Sequence, residues 1–276
     1  MNVMHSETLN NAQNPWSSKE LLSAEIAAKA TPVDYAEVLN ESSVLMLGEN
    51  HHNAPIRDHL AAHAAQLKAA GITHYAIEAP INPAFDELNT SGQISLASVN
   101  LGPLSAQDKS YERAVQAMVA QGIKVVPIDI DQGTQPTKEK RETFLTDRIK
   151  AILADNPTAK VAVLIGGNHA IKKKSEYSVS STTTRLVDAG IKLVAVQYAG
   201  GEDTSPTAFH EAVLGAGMGQ SEFMMDLRPY QETPGVVYGP GSTDYVVHLP
   251  QNPNKIGNNT AMLGGISLGH GFTEHS

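Results

Sequence analysis

Two separate segments of the sequence, residues 44–52 and residues 161–169, end in histidine after a glycine turn. Each segment is an apolar run of strand length followed by Gly-x-Asn-His, with His51 in the first copy and His169 in the second. Imidazole exchanges protons near neutral pH and also binds metals. Strands that end at the same edge of one sheet would bring both imidazoles to one crevice.

Acidic and polar side chains follow the same apolar runs and their neighbours. Ligands of an open parallel sheet bind beyond the carboxyl ends of its strands, so these positions are the candidates for chemistry. Asp131 is better explained as a turn cap, and one of the adjacent His51 and His52 is expected to be structural. The predicted catalytic residues are His51, Glu49, Glu78, His169 and Arg148, and the predicted substrate-binding residues are His52, Asn168 and Asp129.

Arg148 enters this set because of its place on a predicted helix over residues 138–155. Leu145, Ile149 and Ile152 recur at helical spacing and form an apolar face, and Arg148 lies at the edge of that face. A buried arginine requires an anionic partner, which Glu49, Glu78 or a substrate could supply. The alternative is an arginine whose head group reaches solvent.

Two chemistries fit the residue types. In one, Glu49, His51, Glu78 and His169 bind a divalent metal that lowers the pKa of a bound water. In the other, a histidine held by a carboxylate acts as general base on water, and Arg148 stabilises developing negative charge. Both lead to hydrolysis. None of the predicted strands is followed by a Gly-x-Ser-x-Gly elbow or by a phosphate-binding glycine motif, which argues against a serine hydrolase and against a nucleotide site.

The order of predicted elements indicates an α/β fold. Strands are predicted at 44–47, 74–77, 124–128, 160–165 and 191–196, with helical patterns between them, and further strands at 223–227 and 245–249. This alternation predicts a mainly parallel central sheet flanked by helices. Long loop insertions, above all the stretch 81–103 with its predicted irregular structure, would form a cleft at the carboxyl ends of the strands.

Composition sets the remaining bounds. The chain has 276 residues. Its patterns predict a flexible N-terminal arm (1–16), a single α/β domain (17–250) and a C-terminal tail (251–276). The net charge of −9 argues against nucleic acid as a partner and leaves a small-molecule or peptide substrate. No apolar run reaches the length of a membrane span, and no secretory signal is visible. The expected location is the cytoplasm, or outside after export without a cleaved signal peptide.

The combined motifs resemble one known superfamily. Leu-Gly-Glu-x-His at 47–51, Ile-Glu at 77–78, a helix with an inward arginine, and Gly-x-x-His at 166–169 are similar to erythromycin esterases, Tiki (TraB-type) proteins and ChaN-like haem-uptake proteins. The resemblance covers about residues 40–250 and implies an α/β fold with a polar cleft. It carries over the positions Glu49, His51, Glu78 and His169, and also Arg148.

The resemblance implies three kinds of function. Erythromycin esterases use a histidine as general base on water, and Tiki-like members use both Gly-x-x-His motifs with glutamates in metal-dependent proteolysis. ChaN-like members bind haem, and other members are domains of bacterial toxins and effectors. We therefore expect a hydrolase of esters or amides, with haem or small-ligand binding and a secreted effector domain as alternatives. A divalent metal is the expected cofactor if one is used, ahead of haem.

Overall fold

The computed structural model of the chain describes residues 14–95, 109–130, 132–134, 136–173, 179–203, 207–232 and 236–251. Within these residues, seven strands form one sheet. The strands are β1 (Val44–Glu49), β2 (His74–Pro80), β3 (Lys124–Asp129), β4 (Val161–Gly166), β5 (Leu193–Gly200), β6 (Phe223–Asp226) and β7 (Tyr245–Leu249).

The sheet has the order β3-β2-β4-β1-β5-β7-β6. Every neighbouring pair is parallel except β6 and β7. The prediction of an α/β fold with a mainly parallel central sheet is confirmed. Neighbouring residues of β1 face opposite layers, since Leu45 and Leu47 join one apolar cluster and Val44 and Met46 join another. A strand covered on both faces has no solvent side, which explains its unbroken apolar sequence.

Helices occupy both faces of this sheet. They are α1 (Lys19–Lys29), α2 (Tyr35–Leu39), α3 (Ala54–Ala62), α4 (Ala64–Ala69), α5 (Ala84–Ser91), α6 (Lys109–Ala120), α7 (Lys138–Asp155), α8 (Gly167–Ala170), α9 (Thr182–Asp188) and α10 (Ala208–Gly215). Helices α2 to α6 supply the apolar cluster on one face, and α7 and α9 supply the cluster on the other. Helices α1 and α10 enclose a third cluster with β6.

Helix α7 has the bounds that its apolar spacing predicts. The side chain of Thr137 accepts a hydrogen bond from the backbone nitrogen of Lys140, 3.3 Å away, and so caps the first turn. Leu145 and Ile149 are fully buried against the sheet. Because α7 follows β3, its first turns lie near the carboxyl ends of the strands, which is where the predicted cleft is.

Two local predictions are wrong. The stretch 81–103 is not irregular throughout, because it contains α5, which is anchored by buried Phe85 and Leu88 and ends at Gly92 with φ 74°. Residues 96–108 lie outside the described residues. The single helix expected between 53 and 71 is interrupted at His63, whose φ and ψ are −95° and 9° and whose ring Nδ1 bonds to the carbonyl of His59.

The predicted arm and tail fall mainly outside the described residues, so the domain boundaries remain predictions. Where the description begins, the short 3-10 helix Pro15–Ser17 buries Trp16, whose ring stacks on Phe209 with centroids 5.9 Å apart. In the described part of the chain, no helix has the length and apolar character to cross a membrane.

Candidate active site

The two Gly-x-Asn-His turns lie side by side at one edge of the sheet. Strand β1 pairs with β4 in parallel, and Glu49 stands opposite Gly166 in the register. Strand β2 pairs with the other side of β4 and has Glu78 near its carboxyl end. The expectation that both turns meet over one cavity with acidic groups is therefore confirmed by the topology.

A cleft of about 300 Å³ opens at this edge. That volume is at the lower end of the range for small-molecule sites. Its wall is made of both turns, the end of β2, one helix residue and one loop residue. The lining residues are Glu49, Asn50, His51, His52, Glu78, Arg141, Gly166, Gly167, Asn168, His169 and Tyr238.

Glycine at position 166 is required by close contacts. A Cβ atom there would lie 2.9 Å from His51 Nε2, so a side chain would displace the His51 ring, and it would also contact Glu78 Oε2 at 3.4 Å. The backbone nitrogen of Gly166 donates a hydrogen bond of 2.5 Å to Glu78 Oε2. The glycine of the second turn thus allows the polar side chains of β1 and β2 to meet above β4.

His51 is held by a buried carboxylate. Its Nδ1 lies 3.0 Å from Glu49 Oε1, while its Nε2 points into the cleft, 3.7 Å from Glu78 Oε2. Glu49 is itself supported by Arg57, whose Nη1 donates to Oε2 at 2.7 Å, and by the hydroxyl of Tyr111 at 2.5 Å. The fully buried guanidinium of Arg57 also stacks on the Tyr111 ring, 4.0 Å from its centroid. The orientation of His51 is therefore set by several buried contacts.

His169 is held in the same way by a different carboxylate. Its Nδ1 lies 2.6 Å from Glu142 Oε1, and its Nε2 lies 3.6 Å from Glu78 Oε1. The hydroxyl of Thr182 donates to the other oxygen of Glu142 at 2.7 Å. The cleft therefore contains two histidine–glutamate pairs whose free Nε2 atoms approach Glu78 from two sides.

Arg141 completes the network around Glu78. Its guanidinium donates to Glu78 Oε1, to both oxygens of Asp129, at 3.0 and 2.7 Å, and lies 3.3 Å from His169 Nε2. The Arg141 side chain is 24% exposed, whereas those of Glu78 and Asp129 are 4% exposed. A cationic donor group therefore faces the cleft, and the anions that balance it lie underneath.

These contacts shift the pKa values in opposite directions. Burial lowers the pKa of His51, but the charges of Glu78 and Glu49 and the hydrogen bond to Glu49 outweigh it and raise the pKa to about 9. Burial also lowers the pKa of His169, and Glu78 and Glu142 raise it above its usual value. Burial raises the pKa of Glu78, but His169, His51 and Arg141 hold it at about 2. Glu78 is therefore ionised at neutral pH and lies between two imidazoles whose pKa values are both raised.

The four predicted metal ligands, Glu49, His51, Glu78 and His169, all belong to this network of hydrogen bonds and ion pairs. Among the described residues, one group of three His, Asp or Glu side chains has its ligand atoms within 4.8 Å of one another, and it lies elsewhere, at His59, His63 and Glu222. In the cleft, Arg57 bonds Glu49 and Arg141 bonds Glu78. A second cation beside these carboxylates would be repelled by the guanidinium groups.

The structure places the other predicted site residues in different surroundings. His52 and Asn168 line the cleft, and Asn168 Oδ1 accepts a 2.5 Å hydrogen bond from the hydroxyl of Tyr238. Asp129 lies below the cleft, where it bonds Arg141, so the structure gives it a supporting position instead of a wall position. Asp131 lies outside the described residues.

Arg148 is not in the cleft. It lines a separate groove along the edge strand β3, with His74 and Lys124, the first residues of β2 and β3. Its Nε is buried without a hydrogen-bond partner. Helical spacing correctly placed Arg148 beside an apolar face but carried no information on which end of the sheet it would reach.

Sequence reasoning missed the two arginines that are in the network. Arg57 is the fourth residue of α3 and Arg141 is the fourth residue of α7. Each helix follows a strand that ends at the cleft, so its first turns start at the same edge. Polar residues in the first two turns of a helix that follows such a strand are therefore candidates for the site. The same criterion would also have selected Glu142.

Comparisons with solved structures show a similar fold in one protein and give further matches with TM-scores below 0.5. A Bacillus cereus protein matches with a TM-score of 0.59 at 12% identity, over 84% of this chain and 97% of that chain. The type III effector HopBA1 matches with a TM-score of 0.45 at 14% identity, over 79% and 92%. ChaN of Campylobacter jejuni, whose structure shows cofacial haem binding, matches with a TM-score of 0.45 at 16% identity, over 78% and 90%.

The matching structures also include erythromycin esterase EreC. At 12% identity, the match to the Bacillus cereus protein is a likeness of fold alone. No protein-family model and no curated protein matches the chain.

Proposed function

We propose that the cleft hydrolyses an ester or amide bond with a water molecule activated by histidine. The observation that carries the proposal is the pair of histidine–glutamate contacts whose Nε2 atoms flank Glu78, at 3.7 Å from His51 and 3.6 Å from His169. A carboxylate on Nδ1 fixes the tautomer and leaves Nε2 free to exchange a proton with a reactant.

His51 is the proposed general base. Its side chain is 28% exposed, against 14% for His169, so it has better access to a water in the cleft. Glu78 is a poor candidate because its pKa of about 2 makes its conjugate base too weak to remove a proton from water. Its proposed role is electrostatic, because it controls how many protons the two imidazoles carry.

Arg141 and protonated His169 are the proposed stabilisers of negative charge. The Arg141 guanidinium and His169 Nε2 lie 3.3 Å apart and both face the cleft. Preorganised donors of this kind stabilise the oxyanion that forms when water adds to a carbonyl carbon. The arginine is already held by Glu78 and Asp129, so it does not need to be reoriented during the reaction.

The proposed reaction balances without a metal. Neutral His51 takes a proton from water at Nε2 while the water oxygen bonds to the carbonyl carbon. The tetrahedral oxyanion is then stabilised by Arg141 and His169. The bond to the leaving oxygen or nitrogen breaks as His51 returns the proton to that atom, so the products are a carboxylic acid and an alcohol or amine.

The experiment is a hydrolysis panel of small esters and peptide amides on the wild type and on His51→Ala and His169→Ala. We expect each substitution to lower kcat/KM by about 10²–10⁴-fold, the range for a lost general acid or base. The matched control is His74→Ala, at the opposite end of β2, which should keep full activity. Circular dichroism and thermal unfolding establish that the variants are folded. Full activity in both cleft variants contradicts the proposal.

The same experiment separates the alternative functions. In the cleft, His52 is exposed at the rim, so a haem would meet the imidazole of His52 first. A Soret shift that disappears in His52→Ala, with no turnover of any substrate, would favour haem binding. An effector domain that acts on a host protein would show turnover only in the peptide half of the panel. The location, cytoplasmic or exported without a cleaved signal peptide, stays a prediction.

A further inference from the structure

A second histidine–glutamate cluster lies on the face of the sheet covered by α3. His59 is buried in α3, His63 lies at the junction of α3 and α4, and Glu222 immediately precedes β6. His59 Nδ1 lies 2.9 Å from Glu222 Oε2, and His63 Nε2 lies 3.5 Å from Glu222 Oε1. The two imidazole centroids are 4.0 Å apart. Three nitrogen and oxygen donors therefore converge from segments that are distant in the chain.

The outer nitrogen of each imidazole is already occupied. His63 Nδ1 bonds the carbonyl oxygen of His59 at 2.9 Å, and since a carbonyl only accepts, the proton is on Nδ1. The other ring nitrogen, His63 Nε2, faces the Glu222 carboxylate and lies 3.5 Å from its Oε1. A proton or a metal ion between these two atoms would join them.

His59 is oriented in the same way. Its Nε2 lies 2.8 Å from the hydroxyl of Tyr35, which in turn lies 2.5 Å from the hydroxyl of Tyr198. This pair of buried tyrosines fixes the ring so that Nδ1 faces Glu222. An outer hydrogen bond that orients the ligating nitrogen is the usual arrangement around metal-bound histidines.

The spacing of the three donor atoms suits a small divalent cation. Metal–nitrogen distances of about 2.0–2.1 Å in a tetrahedral site place neighbouring ligand atoms about 3.3 Å apart. His59 Nδ1 lies 2.9 Å from Glu222 Oε2 and His63 Nε2 lies 3.5 Å from Glu222 Oε1, both close to that value. One ligand atom from each of the three residues lies within 4.8 Å of the other two. A cation can therefore be bound with small side-chain adjustments.

We propose that His59, His63 and Glu222 bind a divalent transition-metal ion of the zinc type. The set of two imidazoles and one carboxylate is a known zinc combination, and it leaves a fourth position for water. Glu222 is 36% exposed, so the open side faces solvent. The ion would join α3 to the segment before β6, which is 163 residues away in the sequence.

The surroundings favour a metal here over the cleft. Among the described residues, Glu222 pairs with the two histidines and forms no ion pair with a lysine or arginine. A cation at this position therefore meets one negative charge and no positive one. The proposal does not depend on the hydrolytic function of the cleft.

The test uses the full chain, freed of any affinity tag, treated with a chelator and dialysed. Zn²⁺ is titrated against a chromophoric chelator, and Co²⁺ is titrated with detection of its ligand-field absorption. We expect one ion per chain by elemental analysis. His63→Ala and Glu222→Gln, both at accessible positions, should each weaken Zn²⁺ binding by at least about 10-fold. His59→Ala is less suitable because His59 is buried, and its loss could affect folding.

The matched controls are His51→Ala and His169→Ala, which keep this cluster intact and should bind Zn²⁺ as the wild type does. Unfolding curves of the metal-free proteins show that His63→Ala and Glu222→Gln are folded. Three outcomes overturn the proposal: no Zn²⁺ bound by the wild type, unchanged affinity in the double variant His63→Ala/Glu222→Gln, or loss of binding in the cleft variants.

Discussion

The cleft and the His59 cluster use the same residue types for opposite purposes. Both place imidazole nitrogens within 4 Å of glutamate oxygens. In the cleft, the glutamates at the ends of β1 and β2 also bond arginines, whereas Glu222 bonds only histidines among the described residues. Because arginines already balance these two carboxylates, we propose proton transfer for the cleft and cation binding for the second cluster.

Charge balance explains the raised imidazole pKa values in the cleft. Two buried arginine contacts and two histidines face the four carboxylates that the structure brings together, which are Glu49, Glu78, Asp129 and Glu142. Protonation of both histidines makes the network neutral, and this is the direction of both shifts. In the second cluster, burial lowers the pKa of His59, and this effect outweighs the hydrogen bond to Glu222, so its imidazole is neutral and available to a metal.

The largest expected effect comes from removing the arginine below the cleft. Arg57→Met leaves Glu49 buried without its cation, and breaking a buried pair on one side costs about 3–5 kcal/mol of unfolding free energy. Urea unfolding measures this loss. The matched control is Arg113→Gln, which removes an exposed ion pair between Arg113 of α6 and Asp58 of α3. This substitution should lower the unfolding free energy by about 0–1 kcal/mol. Equal losses in the two variants would mean that Glu49 does not depend on Arg57.

The next effect concerns the arginine in the wall of the cleft. Arg141→Gln removes the proposed stabiliser of the oxyanion and should lower kcat by about 10²–10³-fold. Because the Arg141 charge lowers the pKa of His169, its loss should also move the alkaline end of the pH–activity profile upward. Arg148→Gln, two turns further along α7, is the control and should keep full kcat. A similar decrease in both variants would show a general effect on the helix.

The sequence predicted which edge of the sheet carries the site. It did not predict which helix residues complete the site behind the strand ends. The apolar runs and glycine turns led directly to His51, Glu78 and His169, because strand-end chemistry is local in sequence. Arg141 was missed in favour of Arg148 because burial periodicity repeats along a helix and does not indicate which turn reaches the cleft. The pairing of β4 between β2 and β1 depends on contacts that are distant in the chain.

The second cluster was missed for a related reason. His59 and His63 lie in a stretch that the sequence indicated only as a continuous helix. Their partner Glu222 precedes a strand 163 residues away from His59, so no local spacing connects the three. A four-residue spacing of histidines is informative only when the packing brings a carboxylate to the same face.

The pH dependence of stability and of activity should diverge in the cleft. The pKa of Glu78 is lowered from 4.5 to about 2, so its contribution to stability is present above pH 4.5 and is lost as the pH falls towards 2. The pKa of His51 is raised from 6.5 to about 9, so its contribution is present below pH 6.5 and is lost as the pH rises through 9. The general base must be deprotonated, so kcat/KM should increase over the same alkaline range in which stability decreases.

Chemical unfolding and hydrolysis at a series of pH values measure the two curves. In His51→Ala, the decrease in stability between pH 6.5 and 9 should become smaller, while the acidic decrease due to Glu78 should persist. An activity that is already maximal below pH 6.5 would contradict the assignment of His51 as the base.

The smallest effect distinguishes an oriented metal site from a chance cluster. Tyr35→Phe removes the hydroxyl that bonds His59 Nε2. It leaves the atoms proposed to bind the metal unchanged in His59, His63 and Glu222. Loss of an orienting partner weakens metal binding by about 10–100-fold. We expect a decrease near the lower limit, because the backbone contact that orients His63 is unchanged. Zn²⁺ titration measures it, and hydrolysis in the cleft should not change, since Tyr35 does not line that cleft. If Tyr35→Phe and the wild type bound Zn²⁺ equally, the buried tyrosine pair would have only a packing role, and the difference between the two clusters would depend on the arginines alone.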